Sequence, residues 1–185
     1  MKINLIELMP IQQEVNDVVI KRLGRKVSID EYILAFNVEL FEYFNAIGTW
    51  KWWKQSHKQD REKILDELAD CFAFFLSVLL RSDEVMEERG KNKMSKTAER
   101  EVEDTLNLLL KDQERDNIDT TKLINSWITM IACDHETEDN VFTTQRFSVA
   151  IFLATQLFEN ITWSEITEAY KQKSKVNIDR QNGGY

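Results

Sequence analysis

The stretch that most constrains the fold of this chain covers residues 37–80, where two pairs of carboxylates lie on either side of a cluster of tryptophans. Glu39 and Glu42 form the first pair, and Glu67 and Asp70 form the second. A spacing of three residues places both carboxylates of a pair on one face of a helix, about one turn apart. Packing two such helices face to face would bring all of these carboxylates to one position.

A buried carboxylate cluster needs a counter-charge, because like charges repel and burial removes their hydration. Oxygen ligands of this kind favour hard divalent cations such as Mg²⁺ or Mn²⁺ over zinc. The alternative is a solvated helix face for each pair, but the second pair leads directly into the apolar run 71–80, and the segment TWKWWK lies between the pairs. Asp66 offers a rival register with Asp70, but the spacing of Glu67 repeats that of the first pair.

Composition limits the class of protein. The chain has 185 residues, of which 43% are hydrophobic, and it contains only five glycines and one proline. This composition predicts a single all-α domain over residues 1–185, built from long helices. The net charge of −8 argues against sequence-independent binding of nucleic acid. Two cysteines suggest no disulfide framework, and the longest apolar run is too short to span a membrane, so we expect a cytoplasmic protein.

Hydrophobic periodicity and capping signals predict the helices. They cover residues 4–23, 28–47, 61–81, 98–111, 120–133, 141–159 and 163–174. Pro10 favours a start of the first helix near Met9, and Ser28 with Glu31 forms a capping box. The charged segment 82–97 is expected to be an exposed connection, and the acidic segment DHETEDN is expected to be a loop.

The C-terminal residues 171–185 form the main basic cluster of this acidic chain. They include Lys171, Lys173, Lys175 and Arg180. Such an arm could fold over a bound polyphosphate and pair with its oxygens. A disordered, solubilising tail is the alternative.

Taken in order, these motifs resemble the dimeric, all-α dUTPases of phages, some bacteria and trypanosomatids, which are relatives of the MazG-like NTP pyrophosphohydrolases. The resemblance rests on QQEVND in the first helix, E-x-x-E, TWKWWK, E-x-x-D and the ending K-x-x-x-N-x-x-R-Q-x-x-G-Y. The carboxylate motifs alone indicate only the superfamily, whereas TWKWWK and RQNGGY are specific to the dUTPases. The region 83–140 fits the family pattern poorly, which favours a variable, mobile insertion there.

The resemblance implies a helical bundle with a metal cluster between helices, and hydrolysis of dUTP or dUDP to dUMP with release of pyrophosphate or phosphate. Two or more Mg²⁺ ions per site, replaceable by Mn²⁺, would be bound by Glu39, Glu42, Glu67 and Asp70, with Glu39 also acting as the catalytic base. The base would be bound by Gln13, Asn16, Trp50 and Trp53. Phe74 would lie under the deoxyribose. The phosphates would be bound by Lys51, Lys54, Lys173, Asn177 and Arg180.

The family also implies a homodimer, in which the arm closes over the site of its own subunit or of the partner. Some phage-borne relatives bind a repressor of mobile genetic elements. Two alternatives therefore stay open: a MazG-like pyrophosphohydrolase of another nucleotide, and a phage regulatory protein that binds a repressor. We expect no nucleic acid and no membrane among the partners.

Overall fold

The computed structural model describes residues 2–48, 50–53, 60–113, 121–122, 124–125, 128, 138–158 and 160–184. Every regular element within these ranges is helical, which confirms the predicted all-α fold. The helices with defined bounds are α1 (Leu5–Leu23), α2 (Ile29–Ile47), α3 (Arg61–Glu88), α4 (Ser95–Gln113), α5 (Glu138–Phe158) and α6 (Trp163–Asn182). Across the described ranges, none of these helices combines the length and the apolarity that crossing a membrane requires.

The chain divides into two compact units. One comprises Met1–Ile3 and Thr97–Trp163, and the other comprises Asn4–Lys96 and Ser164–Tyr185. The second unit contains α1, α2, α3 and nearly all of α6, and we call it the four-helix unit. All residues proposed above as ligands, base or substrate contacts belong to its two segments.

The core of the four-helix unit forms where α2 and α1 pack against α3. Phe36 of α2 and Phe75 of α3 are both buried, with ring centroids 6.4 Å apart. Other fully buried side chains of this unit are Leu5, Leu40, Tyr43, Leu68, Leu76, Leu79 and Tyr170. Each large apolar side chain buried in this way stabilises the fold by about 1.5–3 kcal/mol.

Caps fix where α2 and α3 begin. The predicted capping box is confirmed, because Ser28 Oγ accepts from the Glu31 amide at 3.2 Å and Glu31 Oε2 accepts from the Ser28 amide at 2.9 Å. Asp60 Oδ1 accepts from the Lys63 amide at 3.2 Å at the start of α3. These caps satisfy amides that lack a partner within the helix, and they set the register of the carboxylates that follow.

Helix α1 begins at Leu5 rather than near Met9, so the start inferred from Pro10 was wrong. Leu5 and Leu8 are buried in the core, and this burial stabilises the additional first turn of the helix. Pro10 therefore lies inside the helix, where it removes one amide donor.

Helix α3 continues to Glu88, seven residues beyond its predicted end. Ser82 and Asp83 are buried, and Asp83 Oδ1 accepts from the amides of Met94 at 2.6 Å and Ser95 at 3.0 Å. The prediction for the charged segment was wrong because a buried polar residue that caps the next helix cannot be distinguished by residue type from an exposed one. Residues 82–88 are part of a helix and not of an exposed connection.

Helix α6 also extends beyond its predicted end, from about 174 to Asn182. Tyr170 and Ser174 are buried, Arg61 of α3 forms an ion pair with Glu165 at 2.6 Å, and Arg22 donates to Gln181 at 2.8 Å. Contacts with two other helices therefore support the helical conformation of the basic segment.

Two further predictions concern the other unit. The helix expected at 120–133 lies largely outside the described residues. Helix α5 begins at Glu138, so the last three residues of the acidic segment are helical rather than part of a loop.

Candidate active site

A carboxylate cluster forms where α2 packs on α3. Glu39, Glu67 and Asp70 each offer an oxygen, and these oxygens all lie within 4.8 Å of one another. All three residues are partly buried. Glu42, one turn further along α2, is exposed and does not belong to this group, but its charge raises the pKa of both Glu39 and Glu67.

Burial and mutual repulsion make this cluster unfavourable for negative charge. Burial first, and then the charges of Asp70, Glu42 and Glu67, raise the pKa of Glu39 to about 7. Burial is also the largest cause of the raised pKa values of Glu67 and Asp70. A cation placed among these oxygens would remove this penalty.

Lys173 of α6 already brings a positive charge to the edge of the cluster. Its Nζ lies 2.8 Å from Asp70 Oδ2 and 2.6 Å from Asp66 Oδ2, and the side chain is only 15% exposed. Burial disfavours the ammonium, but the hydrogen bonds that it donates to Asp66 and Asp70 outweigh this effect and raise the pKa of Lys173. Asp70 thus already binds a partly buried cation, and an oxygen-only donor set is the kind that hard divalent metal ions prefer.

A cavity of about 290 Å³ opens beside the carboxylates, with walls contributed by all four helices of the unit. It is lined by Gln12, Val15, Asn16, Val19, Tyr32, Glu39, Asp70, Ala73, Phe74, Ser77, Lys173, Asn177, Arg180 and Gln181. A more open cavity of about 710 Å³ shares Lys173 and Arg180 with it and is also lined by Asp66 and Glu67. The carboxylates thus lie between two spaces that differ in size.

The structure brings many of the predicted substrate residues to the smaller cavity, namely Asn16, Phe74, Lys173, Asn177 and Arg180. Gln13 is not among its lining residues, and its side chain instead donates to Asp17 at 2.8 Å.

Gln12, the residue before Gln13, faces this cavity instead, and the role of Gln13 in base binding stays a prediction. Gln12 is buried, with 3% exposure, and it lines the cavity. The helical period carried this signal, because Gln12 lies four residues after Leu8 and three before Val15 on the buried stripe of α1.

The tryptophans lie elsewhere in this structure. Trp50 and Trp53 are 52% and 55% exposed, their ring centroids are 5.3 Å apart, and neither lines either cavity. Lys51 Nζ donates to the Asn45 carbonyl at 2.9 Å and lies 5.2 Å from the Trp50 ring centroid. Lys54 lies outside the described residues. Their roles in base and phosphate binding stay predictions.

A buried polar network joins α1, α3 and α6 at the floor of the cavity. Gln12 Nε2 donates to Asn16 Oδ1 and to Ser77 Oγ, both at 3.0 Å, and the Tyr170 hydroxyl donates to Gln12 Oε1 at 3.0 Å. Ser77 and Tyr170 were missed, because only tertiary packing brings these residues together.

The chain matches the dUTPase family over residues 4–185, which is nearly its whole length. No curated protein gives a significant match. The fold, the carboxylate cluster and this match lead to one assignment: the chain belongs to the dUTPase family of hydrolases, which cleave dUTP.

Proposed function

We propose that this dUTPase depends on Mg²⁺ and converts dUTP, and also dUDP, to dUMP with release of pyrophosphate or phosphate. Glu39, Glu67 and Asp70 would bind two or more ions together with Glu42, and Mn²⁺ could replace Mg²⁺. The observation that carries the proposal is the convergence of three carboxylate oxygens within 4.8 Å. When bound, the metal would lower the pKa of a water molecule and hold phosphate oxygens.

Glu39 is the proposed general base. Without metal, burial and then the neighbouring carboxylates raise the pKa of Glu39 to about 7. A bound cation would lower that pKa, so the carboxylate would be ionised and able to take a proton from water near neutral pH. Glu39 also lines the smaller cavity, so its carboxylate can reach a water molecule beside a bound substrate. The same carboxylate would then serve both metal binding and proton transfer.

Lys173, Asn177 and Arg180 are the proposed phosphate contacts. They line the smaller cavity on one face of α6, and Lys173 and Arg180 also line the larger one. We propose that the Lys173 ammonium exchanges Asp66 and Asp70 for phosphate oxygens when substrate binds. Its contact with Asp70 of the same chain supports closure of the arm over its own subunit's site.

Asn16 and Phe74 are the proposed contacts for the uracil and the deoxyribose. Asn16 is a buried amide in a cavity that also contains the Phe74 ring. An amide can select a base because a wrong base leaves buried polar groups unpaired. The exposed rings of Trp50 and Trp53 are available to stack on a base, and this part of the proposal does not extend to Gln13.

A homodimer is proposed on the exposed face of α2. Leu34, Val38 and Phe41 are 66%, 48% and 54% exposed, and their spacing places them on one helical stripe. A second copy of the chain would cover this stripe. The proposed compartment is the reducing cytoplasm, where the buried thiol of Cys71 would remain free.

The proposal is tested with Glu39→Gln and Asp70→Asn, with Glu88→Gln as the control on an exposed part of α3. We expect both cluster variants to lose nearly all Mg²⁺-dependent dUTP hydrolysis and to bind Mn²⁺ more weakly in paramagnetic resonance titrations. Circular dichroism should remain helical for all variants. Near wild-type turnover and Mn²⁺ binding in both cluster variants would disprove the metal site.

A further inference from the structure

We propose that Tyr170 is a positioning residue for base selection: through Gln12 it fixes the direction in which the Asn16 amide faces the cavity. This inference rests on the proposed contact of Asn16 with the base.

Both polar atoms of the Gln12 side chain already have protein partners. Its Oε1 accepts from the Tyr170 hydroxyl, and both N–H groups of its Nε2 are used by Asn16 and Ser77. The side chain is only 3% exposed. Gln12 is therefore placed to influence the base through its neighbours.

Asn16 is left with one kind of group for the cavity. Its Oδ1 accepts from Gln12 at 3.0 Å and lies 2.9 Å from Ser77 Oγ, whose one proton can go to Asn16 or to the Ala73 carbonyl, also at 2.9 Å. Within the described part of the chain, its amide nitrogen donates to no acceptor. Asn16 therefore offers an N–H donor to the cavity, and the base atom that meets it must be an acceptor.

An Asn16 N–H that meets the substituent on ring carbon 4 distinguishes uracil from cytosine, which differ at this substituent and at the adjacent ring nitrogen. Uracil carries a carbonyl oxygen where cytosine carries an amino group, so a donor from Asn16 pairs with uracil and faces another donor in cytosine. An unpaired buried donor weakens the wrong complex by about tenfold to a hundredfold.

The side-chain amides of Gln12 and Asn16 could each rotate by 180°, which keeps their shape but exchanges the positions of the N–H donors and the oxygen acceptor. Tyr170 is important because it favours one of the two orientations of Gln12. Turning Gln12 would point its oxygen at Asn16, and Asn16 would then turn and offer its own oxygen to the cavity. That arrangement suits cytosine. It would also require the proton of the Tyr170 hydroxyl, on a side chain 1% exposed, to find a different acceptor. The hydroxyl thus favours the arrangement that suits uracil.

Helix α6 would consequently position groups that contact both the base and the phosphates of the substrate. Tyr170 lies three residues before Lys173, whose side chain reaches the carboxylates. The packing of one helix would then set both the phosphate contacts and the direction of the base contact.

The test measures kcat/KM for dUTP and dCTP in Tyr170→Phe and Gln12→Met, with Tyr43→Phe as a control for loss of another buried tyrosine hydroxyl. We expect the dUTP-to-dCTP ratio to fall about tenfold in each of the first two variants and to stay unchanged in the control. Because Tyr170 acts through Gln12, the double variant should have the ratio of Gln12→Met alone.

An unchanged ratio in folded Tyr170→Phe, with lower thermal stability only, would make Tyr170 a structural residue and overturn the inference. If Tyr170→Phe does not fold, an unchanged ratio in Gln12→Met has the same consequence. Wild-type protein that hydrolyses dUTP and dCTP equally well would instead refute the proposed uracil contact. Thermal denaturation of all variants separates these results from loss of the fold.

Discussion

Glu39→Gln should make the metal-free protein more stable at pH 8 while it abolishes activity. The pKa of Glu39 is raised from an ordinary 4.5 to about 7, first by burial and then by neighbouring carboxylates. A raised carboxyl pKa means that the folded state holds its proton more tightly than the unfolded state. Stability is therefore lost as the pH rises from 4.5 to about 7. A glutamine side chain at this position would carry no charge at either end of this window.

The size of the gain follows from the same values. A tenfold change in acid dissociation constant corresponds to about 1.36 kcal/mol, which sets an upper limit of roughly 3 kcal/mol. Glu39 is only half-buried, and screening by solvent reduces the expected gain to about 1–2 kcal/mol. In a protein of this size, that gain raises Tm by about 2–8 °C.

The assay is thermal unfolding by circular dichroism in a chelator, at pH 5 and at pH 8, for wild type, Glu39→Gln and the control Glu88→Gln. We expect Glu39→Gln to have a higher Tm than the wild type at pH 8 and a much smaller increase at pH 5, and we expect no increase in the control variant. Mg²⁺ should reverse the order at pH 8, because it stabilises only a protein that binds it. Equal Tm values at pH 8, or a gain independent of pH, would refute the electrostatic reasoning about the cluster.

Three other changes test separate parts of the account. Phe74→Ala should raise hydrolysis of UTP relative to dUTP several-fold, and an unchanged ratio with lower stability would reduce Phe74 to a core residue. Lys173→Met should bind Mn²⁺ more tightly without nucleotide, because the substitution removes the cation that competes with the metal for Asp70. The same variant should hydrolyse dUTP at least tenfold more slowly, because it lacks a phosphate contact. Weaker Mn²⁺ binding would contradict the proposed competition between Lys173 and the metal. Phe41→Glu should shift the protein from dimer to monomer in light scattering with its helical content intact, and a wild type that is already monomeric would exclude the dimer.

The carboxylate cluster could be predicted because its signal is local. The three-residue spacings at Glu39/Glu42 and Glu67/Asp70 place each pair on one helix face, whatever the packing of the two helices. Which of these oxygens converge depends on tertiary packing, and Glu42 is exposed for that reason.

The floor of the cavity could not be predicted in the same way. The hydrogen bond between Tyr170 and Gln12 joins residues separated by 158 positions, and no periodicity in the sequence predicts this contact. The prediction for Gln13 came from the family resemblance, and the apolar stripe of α1 places the neighbouring Gln12 in a buried position. Where polar and apolar patterns disagree, burial decides which side chain reaches a site.

The most direct test of the central claim is product analysis of dUTP by phosphorus NMR, with Mg²⁺ and then with an excess of chelator. We expect dUMP and pyrophosphate in equal amounts with Mg²⁺, and no turnover with chelator. Orthophosphate and dUDP as the first products, or undiminished turnover without a divalent metal, would contradict the proposed metal-dependent pyrophosphohydrolase.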